Sequence, residues 1–153
     1  MQSEYAGDQM PTPTANPSDV ATLDAILHTF YETVSGAAGQ QRDWDRFRTL
    51  FVPEGRLMPI VSLAGEKAGI RFLSTEDFIQ RVDPIFAKED FWERETSRQT
   101  ETFGHFAHVL SFYDSLRSPN GQPFERSANS IQLFNDGSRW WMVNVMWNTS
   151  RAE

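Results

Sequence analysis

Few side chains in this 153-residue sequence can carry chemistry, and most of them fall in the second half of the chain. His105 and His108 lie in Gly104-His105-Phe106-Ala107-His108-Val109, three residues apart, so on a strand they face opposite ways. His105 shares parity with Ala107, Val109, Ser111 and Tyr113, a set that leaves room for a ligand. His108 falls with Phe106, Leu110 and Phe112, a patch suited to an outer surface. An imidazole titrates near ~6.5 and serves as a general base at neutral pH, which makes His105 a candidate proton carrier. Glu93 and Glu95 alternate with Arg94 and Thr96. Glu95 would be a raised-pKa acid or base at the mouth of a cavity, or, more simply, a cross-strand partner of Arg98 or Arg126 on a solvated sheet.

Binding polarity comes from a second group. Ser127 and Asn129 share parity with Ile131 and Leu133, so both are expected to point inward. Tyr31 sits on an apolar helical stripe, where a phenol needs a hydrogen-bond partner. Trp147 belongs to the apolar set Trp141, Val143, Val145 and Trp147 and is expected to wall a pocket. Tyr31, His105, Ser127, Asn129 and Trp147 are therefore the candidate binding residues, and no catalytic set emerges. Three histidines without His-x-His or His-x-x-x-His spacing, and no cysteine, provide no metal site. There is no Gly-rich phosphate loop, nucleophile elbow or dinucleotide fingerprint, so no cofactor is expected.

These groups must be held by one domain of ordinary size. Twenty-one acidic against fourteen basic residues give a net charge of −7, which argues against a nucleic-acid partner. No apolar run approaches the ~18 residues of a membrane helix. Residues 1–17 read as a flexible tail with three prolines and no Lys or Arg, and 18–150 as the domain. The expected compartment is the cytoplasm, or outside it if a leader has been removed.

Ser18 caps a first helix, whose stripe is Val20, Leu23, Ile26, Leu27, Phe30, Tyr31 and Val34. A second helix starts near Asp43 and stops at Pro53 and Gly55. A strand follows over 56–63, interrupted by Pro59. Ser74 caps a third helix, with Pro84 kinking or ending it. Strands are then expected over 91–103, 105–117, 124–135 and 139–148, with Asp136-Gly137 closing the last hairpin. Helices first and an antiparallel meander second make this an α+β chain.

The opening from Leu27 to Met58 carries a family likeness, as do Phe91-Trp92-Glu93-Arg94-Glu95, Gly104 to Val109, and Asn135-Asp136-Gly137-Ser138-Arg139-Trp140-Trp141-Met142-Val143. In that order they resemble the nuclear transport factor 2-like superfamily, also called SnoaL-like or ketosteroid isomerase-like. The resemblance implies a cone-shaped half-barrel: a curved antiparallel sheet wrapped around the N-terminal helix, with two further helices and a pocket at the open end. It also implies a homodimer through the outer sheet face. The catalytic groups of the steroid isomerases fall at Pro59 and Phe30 here, which excludes that reaction. The epoxide hydrolases need an Arg between two Asp, whereas residues 91–103 hold only Glu93, Glu95 and Glu101. Ser127-Ala128-Asn129 resembles the substrate-orienting Ser-Ala-Asn of scytalone dehydratase, although neither His105 nor His108 aligns with that enzyme's histidines.

The leading expectation is a binding module for a small hydrophobic or aromatic molecule, which requires an open cavity of roughly 300 Å³. The alternatives are a lyase or isomerase of the scytalone dehydratase type, with His105 or Glu95 moving the proton, and a dimeric interaction domain without catalysis.

Overall fold

The computed structural model describes residues 13–62 and 65–149. Most of the expected tail and part of the loop after the first strand lie outside the described residues.

The first helix divides in two. Asn16 caps the single turn α1 (Pro17–Val20), and Thr22, extended, caps α2 (Leu23–Val34) by accepting from the Ala25 amide at 3.0 Å. The break lets Asp19 turn to Arg46, whose Nε and Nη2 each donate to it at 2.9 Å. Arg46 holds the Asp19 carboxyl below its ordinary range by hydrogen bonding. Ile26, Leu27, Phe30, Tyr31 and Val34 on α2 are all buried, as the three-and-four spacing requires. Arg42, itself buried, donates to the carbonyls of Val34 and Gly36 and so finishes the end of α2.

The second helix, α3 (Trp44–Arg48), is shorter than expected. Phe51 already opens β1 (Phe51–Val61), so Pro53 and Gly55 sit inside a strand instead of stopping a helix. They are tolerated because the pairing slips between Phe51 and Arg56, which frees Pro53 from donating to a ladder. A short β2 (Gly69–Ile70) pairs with the end of β1. Ser74 and Asp77 form a reciprocal capping box on α4 (Thr75–Phe86). Pro84 lies in the last turn of α4, which continues through it.

The long strands are β3 (Trp92–Phe103), β4 (Phe106–Leu116), β5 (Pro123–Asn135) and β6 (Trp140–Asn148), within a residue or two of expectation. Six strands form one curved, unclosed sheet in the order β2-β1-β6-β5-β4-β3, and α2 packs against β3 and β6 on its concave side. This is an α+β half-barrel cone. One pairing departs from an antiparallel meander: β1 runs parallel to β6.

Alternation holds along β4, where Ala107, Val109, Ser111 and Tyr113 are buried, and along β5 for Asn129, Ile131 and Leu133. It fails on β6. Val143 is an extra residue between the Asn144–Gln132 and Met142–Leu133 pairs, and this bulge reverses parity below it. Met142 and Val145 therefore point inward, both fully buried. Trp141 is displaced from the expected inner set; its Nε1 donates to Asp136 at 2.9 Å and the Arg139 guanidinium covers its ring. No helix among the described residues is long and apolar enough to cross a membrane.

Phe47 anchors the core, with its ring within 5.1–6.0 Å of Phe30, Trp44, Phe51 and Phe78. Phe47→Ala is expected to cost about 3–5 kcal/mol in urea unfolding. The exposed Phe72→Ala should stay within about 0.5 kcal/mol. A Phe47 loss under about 1 kcal/mol would remove it from that central role.

Candidate functional site

The concave face is not completely filled. Between α4 and the sheet lies a cavity of about 230 Å³. Its helical side is Phe78, Val82, Ile85 and Phe86 from α4, with Phe30 and Val34 from α2. Leu57, Pro59 and Trp147 close one flank, and Phe91 and Phe124 stand at the other. The walls are interlocked rings: Phe78 meets Trp147 edge-on at 6.2 Å, and Phe86 stacks on Phe91 at 5.0 Å.

Polar groups enter from the sheet. Glu93 opposes Ser115 on β4, and Ser115 opposes Glu125 on β5, so three neighbouring strands place these side chains side by side in the cavity. Ser35, at the end of α2, accepts from the Glu93 amide at 3.0 Å and donates to the Tyr31 carbonyl at 2.7 Å, which ties this part of β3 to the helix. Burial among apolar walls raises the Glu93 carboxyl to about 8, with the Glu125 charge adding to the effect. A group so placed keeps its proton at neutral pH.

Deeper in the cone runs a chain of hydrogen bonds. Arg98 donates to Asp24 and, through two nitrogens, to Glu95. Ser111 donates to the other Glu95 oxygen at 2.5 Å, and the Tyr31 hydroxyl lies 2.7 Å from Ser111 Oγ. Asn129 Nδ2 donates to Tyr31 at 3.1 Å. The directions follow from the ion pair. A carboxylate facing a guanidinium accepts, so Ser111 gives it its only proton, Tyr31 must donate to Ser111, and Tyr31 can then only accept from Asn129. The amide is thereby oriented with its carbonyl oxygen left free of this chain. Burial pushes the Tyr31 phenol well up.

Of the expected binding residues, Asn129 and Trp147 line the cavity. Tyr31 does not; it stands behind Asn129 and holds it. Ser127 also lies outside this cavity, opposite Tyr113 in the ladder and facing its hydroxyl. His105 is displaced furthest. The strand begins at Phe106, so His105 falls in the exposed β3–β4 turn, with Nδ1 2.9 Å from the Asn135 carbonyl oxygen. Glu95 takes the paired role with Arg98. Glu93, Tyr113, Ser115 and Glu125 are among the polar residues of the cavity that were not expected there. The shared parity of Glu93 and Glu95 was the available signal, but only the tertiary fold sends Arg98 to one of them.

No protein-family model and no curated protein matches the sequence. Solved structures do match. A nuclear transport factor 2-like protein of unknown function from Silicibacter pomeroyi superposes with a TM-score of 0.55 at 17% identity, over 83% of this chain and 92% of that one. A candidate dehydratase of the same family from Streptomyces avermitilis gives 0.56 at 15% identity, over 88% and 97%. The chain has the nuclear transport factor 2-like fold. The β subunit of a candidate aromatic-ring-hydroxylating dioxygenase from Novosphingobium aromaticivorans also superposes, at 0.63 with 12% identity, over 87% and 91%. At these identities the likeness concerns the nuclear transport factor 2-like architecture alone, and this chain's own residues must argue its chemistry.

Two outcomes follow from the site. Tyr31→Phe leaves the Asn129 amide without its acceptor and should cost about 1–3 kcal/mol in urea unfolding; a neutral result would break the chain of donors described above. Glu93 titrates in the unfolded chain near its ordinary 4.5 but in the folded chain near 8. Between those values the folded chain holds a proton the unfolded chain has lost, so stability falls as pH rises through that window and then levels off. The Tm advantage of Glu93→Gln over the wild type should be near zero at about pH 4 and about 4 °C or more at about pH 8.5. A gap independent of pH would place the Glu93 carboxyl in water.

Proposed function

We propose that this chain is a small-molecule-binding domain whose ligand occupies the cavity between α4 and the sheet. The observation that carries this reading is an aromatic-walled space between α4 and the sheet that holds a few convergent polar groups. Its volume of about 230 Å³ does not reach the roughly 300 Å³ expected from the sequence, the lower bound for a drug-sized ligand, but exceeds the ~150 Å³ that takes up benzene. The size narrows the ligand to a single ring or something equally compact. Native mass spectrometry of freshly purified protein should reveal a bound mass that disappears in Val82→Trp, which fills the cavity from α4. The reading fails if no mass is bound, or if the filled variant retains it.

An enzymatic reading of the lyase or isomerase type has one observation in its favour. Glu93 retains a proton near neutrality inside a cavity, as a general acid must. The proton carrier would then be Glu93, since His105 is exposed and Glu95 is committed to Arg98.

The outer sheet face supports a homodimer. Phe103, Phe106, Phe134 and Trp141 form an aromatic row across four strands, with Phe103 77% and Phe106 57% exposed. Sedimentation equilibrium should give twice the chain mass, and Phe106→Glu should return the protein to a monomer. A wild-type monomer at high concentration would remove this assignment.

A further inference from the structure

We infer that the ligand of this cavity is an organic cation: an ammonium group carried on a single aromatic ring, with a hydrogen-bond donor at the ring's far end. This rests on the cavity-binding reading above and adds to it a charge, a polarity and a length.

The charge comes from the Glu93–Ser115–Glu125 row. Both carboxyl groups line the cavity, and neither forms an ion pair or a side-chain hydrogen bond among the described residues. The other charged or titratable groups around them are already engaged. Arg117 faces Glu89 at 3.4 Å, donates to the Asp90 carbonyl at 3.1 Å and lies 4.1 Å above the Phe124 ring. Arg81 on α4 has a partner of its own. Burial keeps Tyr31 and Tyr113 as neutral phenols. Two acidic groups thus share the cavity, and among the described residues neither is paired with Arg81 or Arg117, the two arginines that also line it. The Glu125 charge makes ionisation of Glu93 harder, and a cationic ligand would relieve it.

The walls favour the same ligand. Phe91 and Phe124 stand beside this row, and ring faces attract cations. The guanidinium over Phe124 shows one such face already used by a cation.

The polarity comes from Asn129, which is 3% exposed and lines the inner part of the cavity. Its Nδ2 is committed to Tyr31, and the Glu95–Arg98 ion pair fixes that direction through Ser111. Its Oδ1 is left to the cavity, as a fixed acceptor that calls for a hydroxyl or N–H on the ligand. Asn129 lies four residues along β5 from Glu125, roughly 13 Å between Cα atoms at ~3.3 Å per residue. A glutamate side chain and a ring substituted at opposite ends bridge that span. A carboxylate ligand would face the charge of Glu125, and a neutral ligand would leave the row without a counter-charge once Glu93 ionises.

The test is isothermal titration calorimetry with tyramine and three relatives that each lack one feature. Phenethylamine lacks the hydroxyl, tyrosol lacks the charge, and 4-hydroxyphenylacetate reverses it. Tyramine should bind at least about tenfold tighter than tyrosol and also tighter than phenethylamine, with the anion showing no binding. Its affinity should rise from about pH 6 and level off above about 8, while the ammonium itself stays charged to about 10 as in lysine. Glu93→Gln should bring tyramine down to the level of tyrosol and remove the rise with pH. Glu125→Gln should weaken tyramine while moving that rise to lower pH. Tyrosol or the anion matching tyramine overturns the cation inference. If that binding is lost in Val82→Trp, the cavity-binding reading survives it. Silence from all four probes at millimolar concentration overturns the inference too, and the co-purified mass then decides the cavity reading by itself.

Discussion

The Glu95–Arg98 ion pair sets the direction of the hydrogen bonds that run through Ser111 and Tyr31 to Asn129. A concave sheet face covered by a helix has no water to correct a misplaced donor, so each buried hydroxyl must be matched by its neighbour. Arg98 reaches both Asp24 at the start of α2 and Glu95 on β3, and so joins the helix to the sheet at the surface. From there the order passes inward through Ser111 and Tyr31 to Asn129, three residues on three different elements. An ion pair of this kind, still partly open to solvent, contributes little stability by itself. What it supplies is orientation, because only one arrangement of protons satisfies all the members.

Aromatic packing divides the space that remains. Around Phe47 the rings of α2, α3, α4 and β1 meet and leave nothing open. Further along α4, Phe78, Phe86, Phe91 and Trp147 meet as pairs instead of a cluster, and the cavity lies among them. The high aromatic content therefore has three uses in one small chain: a filled core, the walls of an open pocket, and an exposed row on the convex side of the sheet. Rings suit all three because they are large and stiff, and their edges and faces differ in charge.

How much of this was legible in the sequence depended on the range of the interaction. Hairpin ends, caps and the alternation of β4 and β5 are local, and Asp136-Gly137, Ser74 and the Ile131–Leu133 parity announced them. The inward placement of Asn129 followed from the same alternation, and that of Trp147 from its parity with Val145 on the far side of the β6 bulge. Errors arose where one inserted residue resets a register. The bulge at Val143 sent Trp141 outward, and the slip between Phe51 and Arg56 admitted Pro53 and Gly55 into a strand. A one-residue difference in where β4 starts put His105 in a turn. The roles of Glu93 and Glu95 could not be separated from spacing, because they share a face and differ only in whether an arginine reaches them.

The parallel pairing of β1 with β6 has a consequence for how the chain reaches this state. β6 spans Trp140–Asn148, with β2, α4, β3, β4 and β5 between it and β1 in the sequence, yet it supplies the strand beside β1, which begins at Phe51. A growing chain therefore exposes the edge of β1, and the apolar side chains Phe51 and Leu57 upon it, until β6 has been made. Pairings between such distant segments form slowly, because a long loop must close before any contact rewards it. On the ribosome the α2–α3 unit must wait for β6, and a chain that stops before Trp140 would leave a sticky edge open to aggregation.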